Sequence, residues 1–104
     1  MDFETEMTAY AEAAHELVTM RSRLRADTEE RSRREAMLWM HEDVQAGSNE
    51  KIRKATYEAL AAVDSDYQDL LGAIQLQHDA ISHREVDEQV HKMWARYLTA
   101  VEHE

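Results

Sequence analysis

The chain has 104 residues, of which 12 are basic and 22 acidic, giving a formal charge of -10. This charge repels a phosphate backbone and favours basic protein partners, so direct nucleic-acid binding is not expected. The chain has no cysteine, which excludes disulfides, thiolate zinc sites and cysteine nucleophiles. Its longest wholly apolar run, residues 59–63, is far shorter than the roughly 20 residues of a membrane span. With no signal-peptide pattern at its start, we expect a soluble, cytoplasmic protein.

The first half of the chain predicts one long helix. The chain has no proline and only two glycines, which favours helix throughout. Apolar residues spaced by three, four and seven predict a helix from about residue 3 to 46, with Gly47 as its C-terminal cap. This stripe fades over residues 25–35, where Asp27 and Glu30 have the spacing of a capping pair. A break near Asp27 is therefore the alternative.

Two further helices are predicted after Gly47. Ser48 or Asn49 can cap a helix over about 49–63, and Ser65 with Gln68 has the spacing of a capping box that starts a third helix over about 66–103. The predicted fold is all-α: an antiparallel helical hairpin with a short connecting helix, coiled-coil-like and a single domain over 1–104. Apolar stripes on both long helices predict a multi-helix bundle formed by oligomerisation, most simply a homodimer.

The stretch "GSNEKIRKATYEALAAVDSDYQDLL", residues 47–71, carries a resemblance to known proteins. It contains Gly-x-Asn-Glu, then Arg-Lys-Ala, and then a short helix ending in Asp-x-x-Tyr. This pattern resembles small helical proteins encoded in phage and prophage replication or recombination gene clusters. The resemblance implies a phage-like setting and a role that is not enzymatic.

Two Glu-x-x-His motifs are the sharpest candidates for a metal site: Glu12 with His15, and Glu88 with His91. Residues at i and i+3 share a helix face, and di-iron bundles use two such motifs plus a glutamate from each of two further helices. No further carboxylate is embedded in an apolar stripe. We therefore expect no metal and no cofactor, and a di-iron-like bundle is the third alternative.

One basic block stands out in this acidic chain. It contains six arginines interspersed with acids: Arg21, Arg23, Arg25, Arg31, Arg33 and Arg34. Acid-first pairs at i and i+4 predict that the block supports its own helix, which argues against a nucleic-acid patch. These predicted pairs are Asp27–Arg31, Glu29–Arg33 and Glu30–Arg34.

The remaining signals indicate a protein that works by association. Residues 37–40, "MLWM", cover every side of a helix, and no nucleophile has a supporting base, so no enzyme is expected. The sequence predicts an acidic interaction or scaffold protein beside nucleic-acid machinery. The alternative is a phage-type inhibitor of a basic nucleic-acid-binding host defence protein, presenting Asp64, Asp66, Asp69, Asp79, Asp87 and Glu88. The predicted partner-binding residues are Trp39, Met40, Trp94, Tyr97, Asp64, Asp66 and Asp69.

Overall fold

The computed structural model describes residues 2–102, and this part of the chain is all-helical. It contains α1 (Phe3–Trp39), α2 (Glu42–Gln45), α3 (Glu50–Val63) and α4 (Ser65–Glu102), with no strand among the described residues. The prediction of an all-α fold is confirmed. The predicted end of the third helix at residue 103 lies outside the described range.

Contacts divide the helices into two compact units, where the sequence predicts a single domain. The first unit comprises residues up to 23 and from 77 onward, so it contains the start of α1 and the end of α4. The second unit comprises residues 24–76, with the rest of α1, both short helices and the start of α4. Each long helix therefore contributes to both units.

α1 runs unbroken through the arginine block, so the alternative of a break near Asp27 is wrong. Ion pairs at helical spacing support this stretch, where the apolar stripe is absent. Glu30 lies 3.2 Å from Arg34, which confirms one predicted pair, and 2.7 Å from Arg33. Arg33 thus pairs with Glu30 in place of the predicted Glu29. The hydrogen bond from Arg33 is the largest cause of a lowered pKa of Glu30.

α1 ends at Trp39, about two turns before the predicted end near residue 46. His41 leaves the helical backbone with a ψ of 139°, and its Nδ1 accepts a hydrogen bond from the backbone N–H of Asp43 at 3.1 Å. The side chain of Gln45 donates to the carbonyl oxygen of Trp39 at 2.6 Å. Side-chain caps make this break, so no glycine or proline marks it in the sequence.

Gly47 follows α2, but the prediction that it is the C-terminal cap of the first long helix is wrong. The C-cap of α2 is Ala46 in right-handed conformation, and no glycine among the described residues has a positive φ. The glycine is explained instead by the lack of room for a side chain at this position. A Cβ at Gly47 would lie 2.9 Å from Cγ of Arg53, and 3.2 Å from both the Arg53 nitrogen and the Val44 carbonyl oxygen. Glycine thus permits the close approach of α2 and α3.

Of the two predicted caps for α3, the structure uses Asn49. Its Oδ1 accepts a hydrogen bond from the backbone N–H of Ile52 at 2.9 Å. This satisfies one of the free N–H groups at the start of the helix. Arg53 strengthens the same turn, because its Nε donates to the carbonyl oxygen of Gly47 at 3.1 Å.

Asp64 alone joins α3 to α4. Its backbone N–H bonds the carbonyl oxygen of Leu60 at 3.1 Å, which ends α3. Its Oδ1 accepts from the backbone N–H of Tyr67 at 2.9 Å, which starts α4. The predicted capping box of Ser65 and Gln68 is therefore wrong. Gln68 turns back instead and donates to the carbonyl oxygen of Ala61 at 2.9 Å.

Each unit has a small apolar core. In the first unit the buried apolar residues come from α1 and α4, namely Ala13, Leu17, Ile81 and Ala95. In the second unit they come from the short helices and α4, namely Val44, Ala61, Tyr67 and Ile74. Such narrow cores leave large apolar side chains elsewhere exposed to solvent.

The two glycines give a matched test of the contact at the turn. Gly47→Ala should lower the free energy of unfolding by about 1–3 kcal/mol, because its methyl group overpacks against Arg53 and Val44. Gly72→Ala should instead raise it, by up to about 1 kcal/mol, since nothing lies within 4 Å of that position and alanine favours helix. Urea unfolding followed by circular dichroism measures both. Equal effects of the two substitutions would contradict the close approach at Gly47.

Candidate interaction surface

An exposed apolar stripe runs along α4 in the first unit. Val86, Val90, Met93 and Tyr97 are spaced by four, three and four residues, which places them on one side of the helix. Their exposed fractions are 62%, 40%, 63% and 57%. We call these four residues the α4 apolar face. A contiguous stripe of this kind is typical of a contact surface, whereas single exposed apolar residues are not.

The α4 apolar face lies apart from the side of α4 that contacts α1. On the contact side, Ile81 and Ala95 are buried. Nδ1 of His91 lies 2.7 Å from Oε2 of the buried Glu6, and Nε of Arg84 lies 2.9 Å from Oε2 of Glu16. Early α1 residues thus meet late α4 residues, so the two segments run in opposite directions within the first unit. α1 covers one side of α4 and leaves the other side exposed to solvent.

Trp94 and Tyr97, both predicted as partner-binding residues, form an aromatic pair beside this open side. Their ring centroids are 5.6 Å apart and the planes meet at 88°, an edge-to-face arrangement. Tyr97 belongs to the α4 apolar face, and Trp94 is itself 37% exposed. The pair holds two large rings in a defined orientation, which suits an anchor in a protein contact.

Polar side chains border the α4 apolar face, and their charge changes sign along the helix. Glu85 lies toward its start, while Lys92 and Arg96 lie toward its end; Ser82 and Gln89 complete the lining of a shallow groove there. Glu85 is 3.9 Å from Arg21, a long, exposed pair. Within residues 2–102, neither Lys92 nor Arg96 has an ion-pair partner.

In the second unit, Trp39 and Met40 have different environments. Trp39 is half-buried and packs edge-on against Tyr57, with ring centroids 5.7 Å apart. Its ring therefore contributes to the packing between α1 and α3. Met40 is 70% exposed and Met37 is 74% exposed, so the exposed part of the "MLWM" stretch is its methionines.

The predicted acidic residues of the second unit are not equivalent. Asp64 is half-buried, and its carboxylate caps the start of α4. Asp66 and Asp69 are exposed. Asp66 lies in the first turn of α4, where a negative charge is favoured by the helix dipole. Only two of these three predicted partner-binding acids are thus available to a partner.

Tyr67 makes a polar contact between α4 and α1 in the second unit. Its hydroxyl donates to Oε2 of Glu35 at 2.8 Å, and Nε of Arg31 lies 3.6 Å from the same oxygen. Burial, followed by the hydrogen bond to the Glu35 carboxylate, raises the pKa of Tyr67 to about 12. Arg31, from the basic block, therefore supports an internal contact between α1 and α4.

The two Glu-x-x-His motifs do not meet at one level of the first unit. His91 contacts Glu6, which is nine residues before His15, or about 13 Å along a helix. Glu12 and His15 are exposed, and Glu88 is half-buried. No group of three or more His, Asp or Glu side chains within residues 2–102 could hold a metal ion. The expectation of a protein without metal stays a prediction.

Comparisons with protein families, curated proteins and solved structures find no match to this chain. The resemblance of residues 47–71 to small phage proteins stays a prediction. The segment's residues have clear local roles, as a tight turn at Gly47, a cap at Asn49 and a junction at Asp64. None of the helices described within residues 2–102 is long and apolar enough to cross a membrane.

The sequence patterns did not indicate the charged residues that border the α4 apolar face, or the contacts of Glu6 and Glu35. The bordering charged residues could have been found by separating the apolar residues of α4 into two stripes, one through Ile81 and one through Val90. The contacts of Glu6 and Glu35 carry no local signal, because each joins residues far apart in the chain.

Tyr67→Phe tests the raised pKa. Since the pKa of Tyr67 in the folded chain exceeds its ordinary value of 10.0, its stabilisation is complete below pH 10 and is lost as the pH rises toward about 12. At pH 8 the substitution should lower the free energy of unfolding by about 1–3 kcal/mol, because a buried hydrogen bond to a carboxylate is lost. At pH 11 the difference from the wild type should be smaller.

Urea unfolding at both pH values makes the measurement, with Gly72→Ala as the control. That substitution changes no titratable group, so its effect on stability should be the same at both pH values. A difference between wild type and Tyr67→Phe that is the same at pH 8 and pH 11 would contradict the assignment.

Proposed function

We propose that this chain is a non-enzymatic helical interaction protein that assembles with a second copy through the α4 apolar face. The observation that carries the proposal is the row of four exposed apolar side chains on one side of α4. Burying a side chain of this kind is worth about 1.5–3 kcal/mol, so leaving a whole row in water is costly. A partner helix laid along the row removes that cost.

In this proposal each chain is an antiparallel helical hairpin, and two hairpins form one bundle. The opposite directions of α1 and α4 in the first unit support an antiparallel hairpin. Two hairpins that meet along α4 would make the coiled-coil-like, multi-helix bundle expected from the apolar stripes. A symmetric dimer is the simplest closed assembly, because the same face serves both copies.

The resemblance of residues 47–71 suggests the biological context in which the proposed dimer acts. Such a dimer would act as an acidic scaffold beside nucleic-acid machinery in a phage-like context. Its net charge of -10 favours a basic protein as any further partner. Gene neighbourhood tests this part, since the scaffold should be encoded beside replication or recombination genes.

The alternative of an acidic inhibitor finds no specific support in the contacts of its residues. Asp64 is a helix cap, and Asp87 lies 3.3 Å from Arg84. Salt distinguishes the two mechanisms. An assembly held by apolar faces should persist at about 0.5 M salt, whereas a complex held by exposed acids should dissociate, because the Debye length there is only a few ångströms.

Two valines provide a matched test of the α4 apolar face. Val86 and Val18 both belong to the first unit and are both 62% exposed, but only Val86 belongs to the face. We expect the wild type to sediment as a dimer at tens of micromolar. Val86→Glu should raise the dissociation constant by about tenfold or more, because a charge would be buried at the contact.

Val18→Glu should dimerise like the wild type, and both variants should keep their helical circular dichroism. This control separates a lost contact from a lost fold, since the chemical change is the same. A wild type that stays monomeric at these concentrations would overturn the proposal, as would equal association of the two variants.

A further inference from the structure

We infer that two copies pair antiparallel along α4, so that Glu85 of each lies between the levels of the partner's Lys92 and the partner's Arg96. This inference rests on the proposed self-association and adds to it the identity, direction and register of the contact. The observations that support it are the position of the charges along the α4 apolar face and the spacing of its apolar residues.

The face has the charge pattern of a self-complementary surface. Glu85 borders its start, and the cations Lys92 and Arg96, which have no ion-pair partner within residues 2–102, border its end. An antiparallel second copy brings the acidic end of each face to the basic end of the other. A parallel copy would bring each of these charges to the level of its own counterpart and would pair none of the opposite charges.

Local complementarity matters because two copies repel each other over longer distances. Each chain carries a formal charge of -10, because it has 12 basic and 22 acidic residues. Lys92 and Arg96, which have no ion-pair partner within residues 2–102, lie beside the α4 apolar face. They give a second, equally acidic copy a favourable point of approach.

The spacing of the face fixes the register. With the twofold axis between Gln89 and Val90, Val86 lies at the level of the partner's Met93 and Ser82 at that of the partner's Tyr97. In the same register Glu85 falls midway between the levels of the partner's Lys92 and the partner's Arg96. Apolar contacts and charge pairs thus favour the same alignment.

Single introduced cysteines test the direction, since the natural chain has none. Gln89→Cys and Ser82→Cys both replace exposed polar residues of the groove and leave the apolar side chains intact. In the antiparallel register the two copies of residue 89 are about one helical rise apart along the axis, whereas those of residue 82 are separated by about 22 Å. A disulfide needs Cα atoms within about 7 Å.

Under mild oxidation, Gln89→Cys should form a disulfide-linked dimer at least about tenfold faster than Ser82→Cys. Equal rates for the two would indicate a parallel pair, and no cross-linking at residue 89 in a chain that sediments as a dimer would exclude this register. Either result overturns the inference and leaves the proposed dimer standing. A monomeric wild type would overturn both.

Charge reversal tests the ion pairs. Glu85→Lys should raise the dissociation constant of the dimer by about fivefold, because both symmetric pairs are replaced by like charges. Glu12→Lys makes the same change in net charge at an exposed position of α1 in the first unit. It should leave association unchanged or tighten it, since general repulsion falls. Glu85→Lys that associates as tightly as Glu12→Lys would contradict the pairing.

Discussion

The central constraint on this protein is that α4 carries apolar side chains on two sides, while α1 contacts one of them. In the first unit α1 meets Ile81 and Ala95, and the row through Val90 is left in water. One helix cannot cover both sides of another, because a helix contact spans only a narrow stripe. The small residues at that contact, such as Ala13 and Ala95, permit close packing but bury little surface. The proposed self-association would supply the missing cover.

Polar contacts complement these small cores and select one alignment of the helices. A carboxylate as buried as that of Glu6, which is 7% exposed, requires a partner, and the ring of His91 supplies one. In the second unit the hydroxyl of Tyr67 meets Glu35 in the same manner. Apolar stripes tolerate sliding, whereas such contacts are satisfied at a single register. The few polar contacts between α1 and α4 therefore have a large influence on how their segments align within each unit.

The sequence predicted the helices well and their ends less well. Composition and spacing identified two long helices and the short α3, since helix periodicity is a local property. The end of α1 at Trp39 was not predicted, because His41 is an unusual cap and no glycine or proline stands there. At the start of α4 the sequence predicted a cap at Ser65, and only the backbone geometry shows that the adjacent Asp64 is the cap.

The candidate surface was predicted in part. Met40, Trp94 and Tyr97 were expected to face a partner and are exposed. The sequence could not show that Trp39 packs on Tyr57, because that contact joins α1 to α3. For the same reason it could not show that Lys92 and Arg96 have no ion-pair partner within residues 2–102, which depends on their neighbours in space.

The junction at Asp64 also limits how this chain can change in length. Its backbone ends α3 and its carboxylate starts α4, so the two helices share a single connecting residue. An inserted residue there would separate the two roles and turn α4 by about 100° about its axis, moving Tyr67 away from Glu35. Among relatives or engineered fusions, the length of the chain around Asp64 should therefore be constant.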